Sequence, residues 1–111
     1  MRLLGLGIVH PDPGKFTPST RPAKYEVVMD NERVRAWRLK LNPGEAAPAV
    51  KQTAPGARFV VAGGDVVEKR PGQPDQPLVL KNHDFMALPA EERDLQNTGT
   101  TPIEIVEMEL K

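Results

Sequence analysis

The chain of 111 residues contains no cysteine, two histidines and a single serine. The missing cysteine excludes disulfides, thiolate zinc sites and cysteine nucleophiles. His10 and His83 are too few for an all-histidine metal site within one subunit. Ser19 lies in a proline-rich stretch, which leaves no Ser/His/Asp triad to assemble. Charge of neither sign predominates. Fifteen Lys+Arg balance fifteen Asp+Glu, so the basic surplus of a nucleic-acid-binding surface is missing. Long apolar runs are missing too. Residues 1–9, MRLLGLGIV, fall well short of the roughly 20 apolar residues that span a bilayer. Gly5 and Gly7 interrupt them and no small-x-small cleavage site follows, so a cytoplasmic protein without membrane or nucleic-acid partners is expected. Gly5-x-Gly7 does not make a dinucleotide loop, because the third glycine is missing and Pro11 and Pro13 stand where the helix would start.

Proline and glycine are plentiful instead, at 12 and 9 residues. They cluster at Pro11 to Pro22, Pro43-Gly44, Pro55-Gly56, Gly63-Gly64, Pro71 to Pro77 and Asn97 to Pro102, each with turn chemistry. Between them lie short apolar or β-branched segments, at 25–29, 34–41, 58–62, 65–69, 78–80, 85–88 and 103–110. Several alternate with period two. Seven or eight short strands with frequent turns predict an all-β sandwich or barrel. Little or no helix is expected, beyond one turn opened by Pro89. In the last segment, Val106, Met108 and Leu110 are expected on one face. Glu107 and Glu109, with Glu104, are expected to form a solvated face. Trp37, which alternates with Leu39 and Leu41, is expected in the core or at a subunit contact. The chain divides into an N-terminal strand and Pro-rich arm, residues 1–24, and a barrel domain, residues 25–111.

Two spaced patterns carry a resemblance. Gly44 and Gly63 bracket Val50, Gln52 and Gly56; further on, His83, Pro89, Glu91, Arg93 and Asn97 follow in order. This arrangement, with the strand-and-turn segment Asn31 to Glu45 before it, resembles the cupin superfamily of small β-barrels, or jelly rolls, over about three quarters of the chain. The cupin pattern places two histidines and a glutamate between the first pair of glycines and a third histidine in the second motif. Here those positions fall on Val50, Gln52, Gly56 and Arg93. The opening glycine of the second motif is His83. Its Pro-x-Gly glycine is Glu91. The scaffold positions match while the metal ligands do not.

The family's metal chemistry needs imidazoles and a carboxylate converging on one ion. Valine and glycine offer no donor, and Arg93 is a fixed cation where the ion would sit. No metal and no other cofactor is therefore expected. His10 and His83 are expected to be exposed and to share no partner. If Gln52 keeps the inward direction of the missing ligand, Gly56, Arg58 and Val60 follow on the inward parity, and Arg93 approaches from the second motif. Gln52, Arg58 and Arg93 are thus the candidate binding residues, suited to a small anionic or polar metabolite. The expected function is a metal-free, non-enzymatic barrel that binds such a molecule or acts as an assembly module, with no catalytic residue. The alternative is a cupin-type enzyme, either a metal-free isomerase or epimerase or an atypical metalloenzyme. A homodimer is expected, with the apolar strand at residues 3–9 reaching a neighbour's sheet edge.

Overall fold

The structure, a computed structural model, describes residues 16–111. The strand expected at residues 3–9, and His10, lie outside the described residues. Nine strands follow: β1 (Tyr25–Asp30), β2 (Val34–Leu41), β3 (Ala46–Lys51), β4 (Gly56–Ala62), β5 (Gly64–Lys69), β6 (Gln76–Leu80), β7 (Phe85–Leu88), β8 (Glu92–Asn97) and β9 (Ile103–Leu110). They form two sheets, ordered β1-β2-β9-β4-β7 and β3-β8-β5-β6. All strand pairs are antiparallel. Among the described residues there is no helix.

The turn of helix expected after Pro89 is instead the entry to β8. Glu92 to Asn97 alternates exposed or half-buried with buried residues, and Arg93, Leu95 and Asn97 face inward at period two. β3 was the other unforeseen strand. Its Pro48 lies where the ladder with β8 shifts register between Ala47 and Val50. Such an irregularity tolerates a residue that cannot donate to the ladder.

The two sheets close over a core of Leu39, Leu41, Val60, Val66, Leu80, Leu95, Ile103 and Ile105, with Tyr25, Trp37, Ala47 and Val50. Register sets the order of these side chains. Leu39 faces Ile105 and Leu41 faces Ile103 across β2 and β9, and Trp37 faces Glu107; Glu107 in turn faces Arg58 on β4. The same inward face of β9 therefore passes from two isoleucines to two glutamates. The expectation for β9 is reversed here: Ile103, Ile105, Glu107 and Glu109 are buried and Leu110 is exposed. The barrel is apolar at one end and charged at the other.

The turns explain why the frame positions are what they are. Gly44 has φ +84°, a left-handed conformation that side chains restrict. A Cβ on Gly63 would lie 1.9 Å from the Leu80 carbonyl oxygen. His83, at the position of the second motif's glycine, still has φ +70° and stacks its ring near Phe59, with centroids 6.2 Å apart. Asn97 is fully buried and donates from Nδ2 to the carbonyls of Leu41 and Thr101, tying β2 to the last turn.

Candidate functional site in the charged end of the barrel

The three sequence candidates meet in one region. Gln52, Arg58 and Arg93 are all buried. Gln52 ends the β3 segment and turns its amide inward. Its Nε2 donates to the carbonyls of Ala54 (2.7 Å) and Leu88 (3.0 Å), while its Oε1 accepts from Arg93 Nη2. Two former ligand positions of the cupin pattern are thus bonded to each other. Gly56, the position of the glutamate, admits no side chain, since a Cβ there would lie 1.8 Å from the Met108 carbonyl oxygen. Val50 is packed in the core opposite Arg93. These residues do not fit the metal of the family pattern: none offers a free donor, and a guanidinium occupies the center. Among the described residues no group of three His, Cys, Asp or Glu side chains is placed to hold an ion.

Carboxylates supply what the arginines need. Arg58 donates from Nε to Glu107 Oε2 at 2.8 Å, and its Nη2 lies 3.2 Å from Glu68 Oε2. Glu68 comes from β5 in the opposite sheet, so this arginine joins the sheets. Glu68 is also bound by Arg70 at 2.7 Å, and Arg70 holds Glu91 at 2.7 Å. From the arm, Arg21 reaches Glu107 at 2.6 Å and Glu109 at 2.7 Å. Ser19 donates its backbone N–H to Glu109 Oε1 at 2.9 Å and its hydroxyl to Oε2. Three interior guanidiniums, Arg21, Arg58 and Arg93, therefore stand with three interior carboxylates, Glu68, Glu107 and Glu109. Glu107 and Glu109 are not a solvated face. They are buried because guanidiniums meet them there.

Burial would push the Glu107 carboxyl up, but the Arg58 and Arg21 guanidiniums outweigh it and hold it below the usual glutamate range. Burial likewise opposes the charge on Arg58 and Arg21, and the carboxylates, Glu107 foremost, raise both above the ordinary arginine value. Arg93 differs. Burial pulls it below the ordinary value; Glu107 opposes this, and like-charge repulsion from Arg58 adds to it. Its carboxylate partners are distant, with Glu91 at 3.6 Å and Glu68 at 3.9 Å. Its shortest bond goes to the neutral Gln52 amide. Arg93 is the least compensated cation of the set, and it stays protonated.

Arg93 also lines a cavity of about 240 Å³ with Lys69, Arg70, Ala49 and Pro71, and with Glu92 and Asp94. Arg58 does not line it. The structure thus brings Gln52 and Arg93 into direct contact and holds Arg58 behind them through Glu68. Sequence reasoning missed Glu68, Glu107, Glu109, Arg70 and Arg21. For Glu107 and Glu109, the signal was their shared parity with Ile103 and Ile105. For Glu68 it was its parity with Val66.

No protein-family model matches the chain, and no curated protein matches it. Solved structures do. A cupin domain from Bordetella pertussis Tohama I superposes with a TM-score of 0.73 at 23% identity, covering 83% of this chain and 97% of that one. An RmlC-like cupin family protein with a double-stranded β-helix fold, from Methanocaldococcus jannaschii, gives 0.63 at 19% identity over 82% and 84% of the two chains. The DMSP lyase DddQ of Ruegeria pomeroyi DSS-3 gives 0.56 at 17% identity, with 73% of this chain matched to 40% of that one. The chain has the cupin fold, the double-stranded β-helix.

Proposed function

We propose that this protein is a metal-independent, non-enzymatic cupin barrel that binds a small anionic metabolite at the cavity beside Arg93. The observation that carries this reading is the Gln52–Arg93 bond, which fills the family's ion position with a cation lacking a close carboxylate of its own. A carboxylate or phosphate entering from the cavity would complete its coordination. Arg70 and Lys69 add positive charge at the rim. Glu92 and Asp94, on the same rim, favour small, localised anions over large ones. The cavity, about 240 Å³, is below the roughly 300 Å³ at which drug-sized sites begin, so the ligand is a small metabolite.

Trp37 is the single tryptophan and is packed against the charged cluster, which makes its emission the natural reporter. Titration with phosphate and citrate in the presence of EDTA should give a saturable change that Arg93→Gln abolishes. Binding that EDTA removes and an added divalent metal restores would contradict the proposal. An acid–base enzyme is the second reading, motivated by three inward carboxylates. It is weaker, because Glu107 is held ionised between two guanidiniums and Arg93 is a poor base. We also propose a homodimer. Its support is the edge strand β1, where Val27, Val28 and Met29 are exposed, an apolar edge that a second copy would cover.

A further inference from the structure

Arg21 has the surroundings of a bound ligand. It belongs to no strand; it arrives on the arm before β1. Its side chain is nonetheless 1% exposed. The guanidinium carbon lies 4.3 Å from the Trp37 ring centroid and 4.9 Å from that of Tyr25. Nη1 donates to Glu107 at 2.6 Å, and Nη2 and Nε donate to Glu109 at 2.7 and 3.2 Å. Two aromatic faces and two carboxylates surround one planar cation. The walls of this cage come from β1, β2 and β9, which are hydrogen-bonded neighbours in one sheet. The occupant comes from a segment outside the strands, and Lys24 at its end lies 3.5 Å from Glu45. Ser19 binds Glu109, and the Thr17 carbonyl accepts from Thr53 Oγ1 at 2.8 Å. A cavity of about 580 Å³ runs beside the arm, lined by Phe16, Thr17, Ser19, Lys51 and Thr53 among others. The wall residues are held by strand pairing, while the cation is carried on the segment before β1.

We propose that Glu107, Glu109, Tyr25 and Trp37 form a binding site for a small organic cation of the guanidinium type, which Arg21 occupies in cis and an external ligand takes by displacing the arm. This goes beyond the anion site at Arg93, from which it differs in residues and in charge. Fork geometry decides the ligand class: two carboxylates accepting from three N–H groups suit a guanidinium better than a quaternary ammonium, which has no N–H to donate. In the intact chain the tethered Arg21 competes at an effective concentration on the order of millimolar or higher. An external cation therefore binds weakly until Arg21 is removed.

The test is titration of the full chain and of Arg21→Ala with methylguanidinium chloride, tetramethylammonium chloride and sodium phosphate, at constant ionic strength, read by Trp37 fluorescence and thermal melting. Arg21→Ala should bind methylguanidinium at least about tenfold more tightly than the intact chain does and should melt higher in its presence. Methylguanidinium should bind better than tetramethylammonium, and Arg21→Ala/Glu109→Gln should lose the effect. If Arg21→Ala does not fold alone, refolding with methylguanidinium should restore it, with sodium chloride as control. A folded Arg21→Ala that shows no saturable methylguanidinium binding, one that prefers tetramethylammonium, or an unfolded one that methylguanidinium does not rescue would overturn the proposal. Phosphate binding separates the two readings. If phosphate binds and methylguanidinium does not, the Arg93 site stands and the cation site falls; if methylguanidinium alone binds, the reverse holds.

Discussion

Arg58→Met is the sharpest perturbation of the charged end, because it removes a buried cation that joins both sheets. Arg58 is 2% exposed and serves Glu107 at 2.8 Å and Glu68 at 3.2 Å. Methionine fills much of the volume, so the cost is dominated by stranded carboxylates rather than by a cavity. Deleting one partner of a buried pair typically costs about 3–5 kcal/mol. Here each carboxylate keeps a second guanidinium, Arg21 at 2.6 Å for Glu107 and Arg70 at 2.7 Å for Glu68. The lower end, about 3 kcal/mol, is therefore expected, which in a domain of this size lowers Tm by about 12 °C or more. The loss should depend on pH in a defined direction. In the native protein the Glu107 carboxyl is held below its ordinary value of 4.5. It therefore contributes stability above that pH, which is lost as pH falls through the folded value. In Arg58→Met the chief influence holding it down is gone and its folded value rises, so the gap between the two proteins should narrow on acidification. Adding Glu107→Gln to Arg58→Met should recover part of the loss, since the two residues face each other across β4 and β9. Urea unfolding from neutral to acid pH measures all of this. A loss under about 1 kcal/mol, the worth of an exposed pair, or one that does not change with pH, would refute the reasoning.

Asn97→Ala should cost about 2 kcal/mol by denaturant unfolding, because it takes the Nδ2 donor from the buried Leu41 carbonyl and from the part-buried Thr101 carbonyl. Gly63→Ala should yield little folded protein in a circular-dichroism melt, since its Cβ would collide with the backbone of Leu80. Arg93→Gln should abolish phosphate-dependent changes in Trp37 emission while lowering Tm less than Arg58→Met does, because its carboxylates are 3.6 and 3.9 Å away. Val28→Lys on the exposed edge strand β1 should shift sedimentation toward monomer. An unchanged sedimentation coefficient would argue against a dimer through that edge.

The fold was legible because turn chemistry and period-two segments survive wherever backbone geometry demands particular residues. Gly44 needs its positive φ, Gly63 its close approach, and Asn97 its buried amide. The inward direction of Gln52 came from the cupin pattern, and that of Arg58 and Val60 followed from it by strand parity. β3 and β8 were not legible, because one contains Pro48 and the other reads as a charged string, ERDLQN. The larger error concerned β9. Alternation says which residues share a face but not which face is inward, and glutamate is ordinarily the outward residue. Only pairing partners resolve that choice, and Glu107 gains its partners from Arg58 on β4 and Arg21 on the arm. These lie 49 and 86 residues away in sequence, beyond the reach of local pattern. Among the described residues the candidate arginines stand with interior carboxylates, and the nearest carboxylates of Arg93 are 3.6 and 3.9 Å away.

A bonded amide and guanidinium, Gln52 and Arg93, stand where the cupin pattern would place an ion. Elemental analysis of the full chain, equilibrated in turn with Fe, Mn, Ni and Zn and then dialysed against chelator, tests this most directly. Well under about one ion per chain should remain, since a specific site requires several converging, deprotonated ligands. Retention of about one ion per chain, lost in Gln52→Ala, would contradict the claim.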